Sequence, residues 1–296
     1  MEIRVLRYFL AVAKEGTITG ASQFLHVTQP TLSRQLMDLE IELGQKLFIR
    51  GSHNITLTNE GMILRKRAQE IIDMVEKTET DFRNIKDEIS GQIFIGGGEF
   101  ASIKYVAEVI REIQEEYPNI KYNFFSGNVD DVTEKLDKGL IDFGILLQPT
   151  DISKYAYLSL PSKECWGVIM RKDSKLAQKT EILMDDLLDV PVILPRRIEN
   201  SANTQQSDIQ WFGSKLEKLN VIANYNLIYN AAILVKEGIG YAIGLDRLID
   251  EANSDLCFRP FSPSLTSGVD IIWKKYQVFT PAAKIFLTKM MKKFGE

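Results

Sequence analysis

The sequence predicts a small helical domain with a β-hairpin, one long helix, and a larger α/β region. Three observations predict this fold class: short amphipathic helix patterns run to Leu57, a heptad pattern of apolar residues follows to Ile89, and strand and helix patterns alternate after Gly91. The chain has 296 residues, the length of about two domains. With 45% hydrophobic residues, it can fill the cores of both.

Composition and charge exclude several classes of protein. A formal net charge of −4 with 45% hydrophobic residues argues against disorder. Glu2, Arg4 and Arg7 interrupt the first apolar residues, so we expect no signal peptide. No stretch approaches the roughly 18 uncharged apolar residues of a membrane span. We therefore expect a cytoplasmic protein with reduced cysteines and no membrane partner. Histidine occurs only at His26 and His53, so His-based catalytic triads and most zinc sites are excluded after them. We expect no metal and no cofactor.

Three helix patterns and a hairpin fill the first 57 residues. The first helix has an apolar stripe of Ile3, Leu6, Phe9, Leu10 and Ala13. Thr17 caps the second helix, whose inward residues are Ile18, Ala21 and Leu25. Thr28 caps the third helix and Gly44 ends it, and its predicted buried residues are Leu32, Leu36, Leu39 and Leu43. Residues 46–49 and 54–57 are predicted to form the two strands of the hairpin.

The second and third helices, followed by the hairpin, match a winged helix-turn-helix, with the two-helix motif at about residues 18–37. In that motif the second helix lies in the DNA major groove, and its first turn contacts base edges. Gln can pair with adenine, and Arg with guanine or phosphate. Leu32 belongs to the buried stripe, so its neighbours face outward. The predicted DNA contacts are Thr17, Gln29, Pro30, Thr31, Ser33 and Arg34 on the helices, and Arg50, Ser52 and His53 at the hairpin tip.

The charge of this domain gives DNA binding little support. Up to Leu57 there are six Lys and Arg residues against five Asp and Glu residues. The non-specific attraction to phosphate is therefore expected to be modest. From periodicity alone, a small packed helical domain remains an alternative.

The long helix is predicted from Thr58 to Ile89, on the order of 48 Å at 1.5 Å per residue. Its apolar residues alternate steps of four and three, which makes a heptad seam that a single helix cannot bury alone. We expect the seam to pair with a second copy of the chain. The alternative is a surface helix packed on its own domain. The residues assigned to dimerisation are Leu64, Ala68, Ile71, Val75, Phe82 and Ile85.

After Gly91 the alternation of strands and helices predicts doubly wound α/β layers. The predicted strands are residues 93–95, 120–125, 143–147, 166–170, 192–194, 221–225, 241–244, 256–258 and 269–273. The predicted helices between and after them are residues 103–117, 129–138, 209–219, 231–237 and 281–294.

One stretch of sequence identifies a family. Residues 17–36, followed by Leu39-Glu40, Leu43-Gly44 and Leu47-Phe48-Ile49-Arg50, resemble the LysR-type transcriptional regulators. Residues 57–61 resemble that family's entry to its linker helix. Ser22 stands where many members have alanine, and Gly20 lowers the helix propensity of the first turn and removes the capping box.

The resemblance implies a domain plan and a set of partners. It implies a winged helix-turn-helix at 1–58, a dimerising linker helix at 59–90, and a two-lobed effector domain like periplasmic binding proteins. Lobe I would comprise 91–161 and 265–296, and lobe II 162–264. The implied partners are double-stranded operator DNA, a small-molecule effector, and further copies of the chain as a dimer or tetramer. RNA polymerase is a further candidate partner.

The resemblance also implies an effector cleft between the lobes, contacted by loops at strand ends. Helix starts favour an anionic group there, and Arg196 is suited to bind a carboxylate. The alternatives are that Arg196 and Arg197 pair with Glu199 or face solvent, and that Ser102 and Asn128 only cap their own helices. The candidate effector contacts are Gly98, Phe100, Ala101, Ser102, Ser126, Asn128, Arg196, Ser201 and Asn230.

The sequence also contains features of three other functions. Residues 96–101 contain G-x-G-x-x-A, but no acid ends the next strand to hold a ribose, so a dinucleotide site is disfavoured. Cys165 and Cys257 have no basic neighbours in sequence, so buried, inert thiols are favoured over a redox switch. The remaining rival is a small-molecule binding protein or α/β enzyme with a helical appendage. We expect no enzyme, because the histidine-free region shows no nucleophile and base together.

Overall fold

The computed structural model describes residues 1–51, 54–83, 90–199 and 212–295. The chain divides into two compact units, residues 1–83 and 84–296. Within the described residues, no helix combines the length and the apolar character needed to cross a membrane.

The N-terminal unit is helical, with a two-stranded antiparallel hairpin. Its elements are α1 (Ile3–Glu15), α2 (Ile18–Phe24), α3 (Gln29–Leu43), β1 (Phe48–Arg50), β2 (Ile55–Leu57) and α4 (Asn59–Arg83). Gly16 and Gly44 end α1 and α3 with φ of 68° and 65°, the left-handed conformation that glycine adopts without strain. The end of α3 at Gly44 lies where the sequence predicts it.

The core of this unit is built from the apolar faces of α1, α3 and α4. Its largest fully buried side chains include Leu6, Phe9, Leu32 and Leu36. Two predicted inward residues are instead exposed: Ile3 by 45% and Leu43 by 39% of their surface. Each is a terminal residue of its helix and lies beyond the last turn that packs on the core. Val5 and Val12, which the predicted stripe omits, are buried in α1 instead.

Helix α4 joins this core through its first turns. Ala68 and Ile72 are buried in it, and Leu64 packs against it, since α1 lies on α4. The predicted dimerisation residues Leu64 and Ala68 therefore pack in their own domain. For this part of the helix, the alternative of packing on its own domain applies, and not the pairing with a second copy. Ile71 remains 37% exposed. The side chain of Phe82, and Ile85 as a whole, lie outside the described residues.

Within residues 90–199 and 212–295, nine strands form one mixed sheet. They are β3 (Gly91–Gly97), β4 (Ile120–Ser126), β5 (Phe143–Leu147), β6 (Tyr155–Arg171), β7 (Pro191–Pro195), β8 (Asn220–Tyr225), β9 (Tyr241–Leu245), β10 (Leu256–Pro260) and β11 (Thr266–Lys274). The order is β4-β3-β5-β11-β6-β9-β7-β8, and β10 pairs with β6. β4 and β5 run parallel to β3, and β8 and β9 run parallel to β7.

Helices connect these strands and confirm the predicted α/β class. They are α5 (Ile103–Glu116), α6 (Val129–Asp137), α7 (Arg196–Glu199), α8 (Ile228–Lys236) and α9 (Pro281–Phe294). Short 3-10 helices lie at Lys175–Gln178, Met184–Leu187 and Gly213–Lys218. The last of these stands where the sequence predicts an α-helix at 209–219, of which residues 209–211 lie outside the described residues.

Strand β6 links the two halves of the sheet. It is 17 residues long; Cys165 pairs with Thr266 of β11, and the next residue, Trp166, pairs with Leu245 of β9. The sequence predicts only 166–170 of this strand, because polar residues such as Ser159 and Lys163 break the apolar pattern before it. The predicted lobe boundaries at 161/162 and 264/265 fall within β6 and just before β11.

The last helix packs on the first half of the sheet. Ala282, Phe286 and Met290 of α9 are fully buried. The ring of Phe143 in β5 lies with its centroid 4.9 Å from that of Phe286 and 5.3 Å from that of Phe279. Such aromatic contacts add to the stability that burial alone supplies. The C-terminal segment therefore packs with β3–β5, although it is remote from them in sequence.

Candidate functional site

The first turn of α3 presents polar side chains to solvent. Gln29, Pro30, Thr31 and Arg34 are exposed, Ser33 is partly buried, and Leu32 between them is fully buried. The hydroxyl of Thr28 accepts a hydrogen bond from the Thr31 N–H at 3.4 Å and so caps the helix. The hydroxyls of Thr28 and Thr31 lie 2.8 Å apart and share a hydrogen bond. As the sequence predicts, Leu32 anchors the turn while Gln29 and Arg34 are exposed.

The start of α2 is capped by a predicted contact residue. The Thr17 hydroxyl accepts a hydrogen bond from the Gly20 N–H at 3.0 Å. Between α2 and α3, His26 adopts a φ of 54°, which turns the chain sharply between the two helices. Of the other predicted contacts, Ser52, His53 and the side chain of Arg50 lie outside the described residues.

Glu40 connects α3 to the hairpin, a role that the sequence analysis missed. Its buried carboxylate accepts hydrogen bonds from the N–H groups of Leu47 at 2.8 Å and Phe48 at 3.3 Å, and from Lys46 Nζ at 2.9 Å. Burial by itself would raise the pKa of Glu40, but these hydrogen bonds outweigh it and hold the pKa below its ordinary value. The sequence does contain a sign of this role, because Glu40 stands four residues after Leu36 and so lies on the buried apolar stripe of α3.

In the C-terminal unit, a cavity of about 110 Å³ lies at the carboxyl ends of the parallel strands. This edge of the sheet is where open α/β folds bind ligands. The loops after β3, β4, β7 and β8 supply part of its lining. The predicted contacts Gly98, Phe100, Asn128 and Arg196 all line it, although they come from three separate segments of sequence.

Other predicted effector contacts lie elsewhere. Ser102 is buried, and its N–H donates to Glu164 Oε1 at 2.7 Å while its hydroxyl bonds the same oxygen. It therefore faces the protein interior and not the cavity. Asn230 is exposed on α8, two residues beyond Ile228, which reaches the cavity instead. Ala101 is not among the described lining residues, and Ser201 lies outside the described residues.

Ser126 lines a second cavity, of about 560 Å³. Both cavities share the lining residues Gly98, Glu99, Phe100, Ile145, Ile228 and Leu248. The glycine run before Glu99 accommodates the chain's own side chains, since a Cβ on Gly98 would lie 2.4 Å from Cζ of Phe100. The need for space beside Phe100 therefore accounts for glycine at position 98, and no bound dinucleotide has to be invoked.

The helix starts near the cavity already hold acceptors from the chain. Asn128 Oδ1 accepts a hydrogen bond from the Asp131 N–H at 2.9 Å, so Asn128 caps its own helix. This capping role is the alternative to an effector contact given in the sequence analysis. Glu99 Oε2 accepts from the Ile228 N–H at 2.9 Å and joins the loop after β3 to the start of α8. Burial, with a smaller effect from the Glu99 carboxylate, raises the pKa of Tyr225, whose hydroxyl donates to the Ile243 carbonyl at 2.7 Å. No strand or helix period marks Glu99, so the sequence alone does not predict its place at the cavity.

The cysteines do not form a pair. Cys257 in β10 lies opposite Met170, five residues along β6 from Cys165. At roughly 3.3 Å per residue this separates them by about 16 Å, whereas a disulfide needs Cα atoms within about 7 Å. Burial raises the pKa of both thiols, and Asp246 raises that of Cys165 further. The geometry favours the inert interpretation over the redox switch.

Comparison with known sequences agrees with the fold. The family described as LysR substrate binding domain matches residues 86–294, and the bacterial regulatory helix-turn-helix protein, lysR family, matches residues 3–62. The chain is 29% identical over 301 residues to the uncharacterized HTH-type transcriptional regulator YvbU of Bacillus subtilis, covering 100% of this chain and 99% of the relative. It is 27% identical over 288 residues to the Hca operon transcriptional activator HcaR of Escherichia coli, covering 97% and 96%.

Solved structures share the same fold. CbnR, a LysR family transcriptional regulator, matches with a TM-score of 0.75 at 19% identity, over 100% of both chains. Full-length CbnR complexed with its target DNA matches with a TM-score of 0.73 at 20% identity, over 99% of both chains. Because the family matches extend over a helix-turn-helix and over most of the α/β unit, this chain belongs to the LysR family of transcriptional regulators, which bind DNA and carry an effector-binding domain and are not enzymes.

Proposed function

We propose that this regulator contacts its operator through the first turn of α3. The observation that carries this proposal is the exposure of Gln29, Thr31 and Arg34 around the fully buried Leu32. A helix held by its own core and carrying Gln and Arg side chains outward suits the base edges of the major groove. Thr17, Pro30 and Ser33 are secondary candidates, and the hairpin residues Arg50, Ser52 and His53 remain predictions.

The proposed effector site is the cavity lined by Gly98, Phe100, Asn128 and Arg196. Two facts support this assignment: the cavity lies at the carboxyl ends of the parallel strands, and both halves of the sheet contribute to its lining. A ligand held by both halves favours one arrangement of them over another. This is how ligand binding would modulate operator binding.

The proposed assembly is a dimer or tetramer in the bacterial cytoplasm, where operator DNA lies. CbnR has been solved in complex with its target DNA. Among the described residues assigned to dimerisation, Ile71 and Val75 of α4 lie outside the domain core. They are the proposed contacts between copies. A two-fold dimer would match a palindromic operator. RNA polymerase stays a candidate partner.

The DNA contacts are tested with the variants Gln29→Ala and Arg34→Ala. Wild-type protein first selects its preferred duplexes from a random-sequence library. Each variant is then titrated, at one fixed salt concentration, with a selected duplex and with an unselected duplex of the same length. Loss of a base contact is expected to cost about 1–3 kcal/mol on the selected duplex and much less on the unselected one.

Arg7→Ala is the matched control, because it removes one exposed positive charge from α1 of the same unit. We expect it to leave the preference for the selected duplex unchanged. If both test variants discriminate between the two duplexes as well as the wild type does, α3 does not read the operator.

A further inference from the structure

Two opposite charges line the proposed effector cavity. Glu99 lies in the loop after β3, and Arg196 follows β7, in the other half of the sheet. Among the described lining residues, the only other titratable group is the hydroxyl of Tyr225, which donates to a main-chain carbonyl. Most of the remaining wall is apolar and includes Phe100, Ile145, Leu147, Trp166, Leu245 and Leu248.

Neither charge is neutralised by the other. Among the side chains that the structure describes, no ion pair joins Glu99 to Arg196, and no carboxylate lies within ion-pair distance of Arg196. Arg196 is exposed to solvent, which was one alternative to an effector contact, and the side chain of Glu199, the other alternative, lies outside the described residues. The Glu99 carboxylate uses Oε2 to accept the Ile228 N–H. Its Oε1 has no hydrogen-bond partner among the described residues, and an ionised carboxylate can accept several hydrogen bonds. One acceptor and one cationic donor therefore remain available to a ligand.

The helix starts near the cavity offer little to an anion. The start of α6 is capped by Asn128, and the start of α8 by Glu99. The N–H of Ser102, before α5, is bound to the buried carboxylate of Glu164. One N–H group at each of these starts is thus already bound by the chain, which weakens the attraction of an anion on which the sequence expectation rests. Arg196 is left as the cationic side chain of the described lining, with Glu99 opposing it.

We propose that the effector is a zwitterion: a small molecule whose ammonium group binds Glu99, whose carboxylate binds Arg196, and whose apolar body contacts the apolar wall of the cavity. This inference deepens the proposed function and rests on it. Arg196 is exposed and Glu99 is partly buried, and a ligand with both charges would pair with each of them beside an apolar wall. An acid without the ammonium group would pair with Arg196 but leave Glu99 without a cation.

The test measures binding of matched ligand sets to the full-length protein by isothermal titration calorimetry. One set is L-leucine, the acid of the same skeleton without the amino group, and the amine without the carboxyl group. The second set is the same three compounds for L-phenylalanine. We expect a zwitterion to bind at least tenfold more tightly than both of its analogues.

Glu99→Gln isolates the charge of Glu99. The Gln carbonyl can still accept the Ile228 N–H, so the link to α8 is kept while the negative charge is lost. We expect this variant to bind the zwitterion about tenfold more weakly and to lose its preference over the acid analogue. Arg196→Gln should weaken the binding of the zwitterion and of the acid but not the binding of the amine. Glu115→Gln, an exposed acid on α5, is the control and should change none of these affinities.

Two results would overturn the proposal: an acid analogue that binds as tightly as its zwitterion, or no binding of either zwitterion at millimolar concentration. Leu248→Trp separates this failure from failure of the proposed site, because it adds bulk to the wall of the cavity. If the acid binds best and Leu248→Trp abolishes its binding, the site stands and the zwitterion is wrong. If a ligand binds equally to wild type, Leu248→Trp and Arg196→Gln, the cavity is not the effector site.

Discussion

Two buried glutamates each hold a main-chain segment next to a proposed site. Glu40 accepts the N–H groups of Leu47 and Phe48 and so ties the hairpin to α3, the helix proposed to contact DNA. Glu164 accepts the N–H of Ser102 and so holds the loop before α5 against β6. A buried N–H without an acceptor is costly, so each carboxylate stabilises the position of its segment. Neither residue contacts a ligand in our proposals; both act by positioning others.

We predict that Glu40→Ala destabilises the hairpin by about 1–3 kcal/mol, because it leaves two N–H groups without their acceptor. The measurement is amide hydrogen exchange, by mass spectrometry, of peptides that contain residues 46–49. Exchange there should accelerate, with little change in the C-terminal unit. Asp38→Ala removes an exposed acid from the same helix and should leave the exchange unchanged.

The same contact predicts a pH dependence. The pKa of Glu40 is lowered in the folded chain from its ordinary value of 4.5. A lowered pKa contributes stability that is fully present above pH 4.5 and is lost as the pH falls through the folded value. Protection of these amides, corrected for intrinsic exchange, should therefore fall at acid pH in the wild type. Equal acid sensitivity in Glu40→Gln would show that another group is responsible.

At the scale of elements, α4 serves two purposes along its length. Its first turn is held to the hairpin, since Thr58 donates its N–H to the Leu47 carbonyl and its hydroxyl to the Lys46 carbonyl at 2.7 Å. Residues spaced by four, Leu64, Ala68 and Ile72, then pack in the domain core. Ile71 and Val75 lie on a different face and are less buried. One helix thus completes the DNA-binding unit and presents a separate apolar strip.

We predict that Gly61→Ala destabilises the N-terminal unit, although alanine favours helix by about 1 kcal/mol over glycine. A Cβ at this position would lie 2.2 Å from the Leu47 carbonyl oxygen, so the main chain of α4 or the hairpin must move. Such overpacking costs about 1–3 kcal/mol or more. Limited proteolysis of residues 1–83 in the full-length protein should become faster. Met62→Ala, at an exposed neighbouring position, is the control, and equal protection of both variants would contradict the prediction.

At the scale of the molecule, the C-terminal unit is built on a single sheet, and β6 is the strand that is hydrogen-bonded to both of its halves. β6 pairs with β11 in one half and with β9 and β10 in the other. The chain returns to the first half through β11, so two segments cross between the halves. Such a pair of crossings is where hinge motion between lobes is expected. The proposed ligand cavity lies at the edge that both halves share.

We predict that replacing Ile71 and Val75 together by Asp converts a dimeric or larger protein to a monomer. If these residues pair with a second copy of α4, the variant would bury unpaired carboxylates in that contact. Sedimentation velocity at micromolar concentration provides the measurement. Gln69→Asp adds an acid to an exposed position of the same helix and should keep the assembly intact. A wild-type protein that sediments as a monomer would remove the proposal.

Local sequence predicts much of this protein because helix caps, glycine ends and apolar periods act over a few residues. Thr17, Thr28 and Gly44 mark helix ends correctly, and the family resemblance identifies the N-terminal unit from neighbouring residues alone. The alternation of strands and helices likewise predicts the α/β class. Four effector candidates, Gly98, Phe100, Asn128 and Arg196, do meet at one cavity.

The tertiary structure decided what depends on contacts between remote residues. Ser102 bonds a glutamate 62 positions away, and Glu99 bonds an N–H 129 positions away. No local pattern encodes either partner, because each is set by how strands are ordered in the sheet. The contact between Glu99 and the Ile228 N–H holds the negative charge of Glu99 at the cavity. Likewise, the packing of α1 on α4 decided that Ala68 belongs to its own domain while Ile71 remains exposed, a choice that a heptad pattern leaves open.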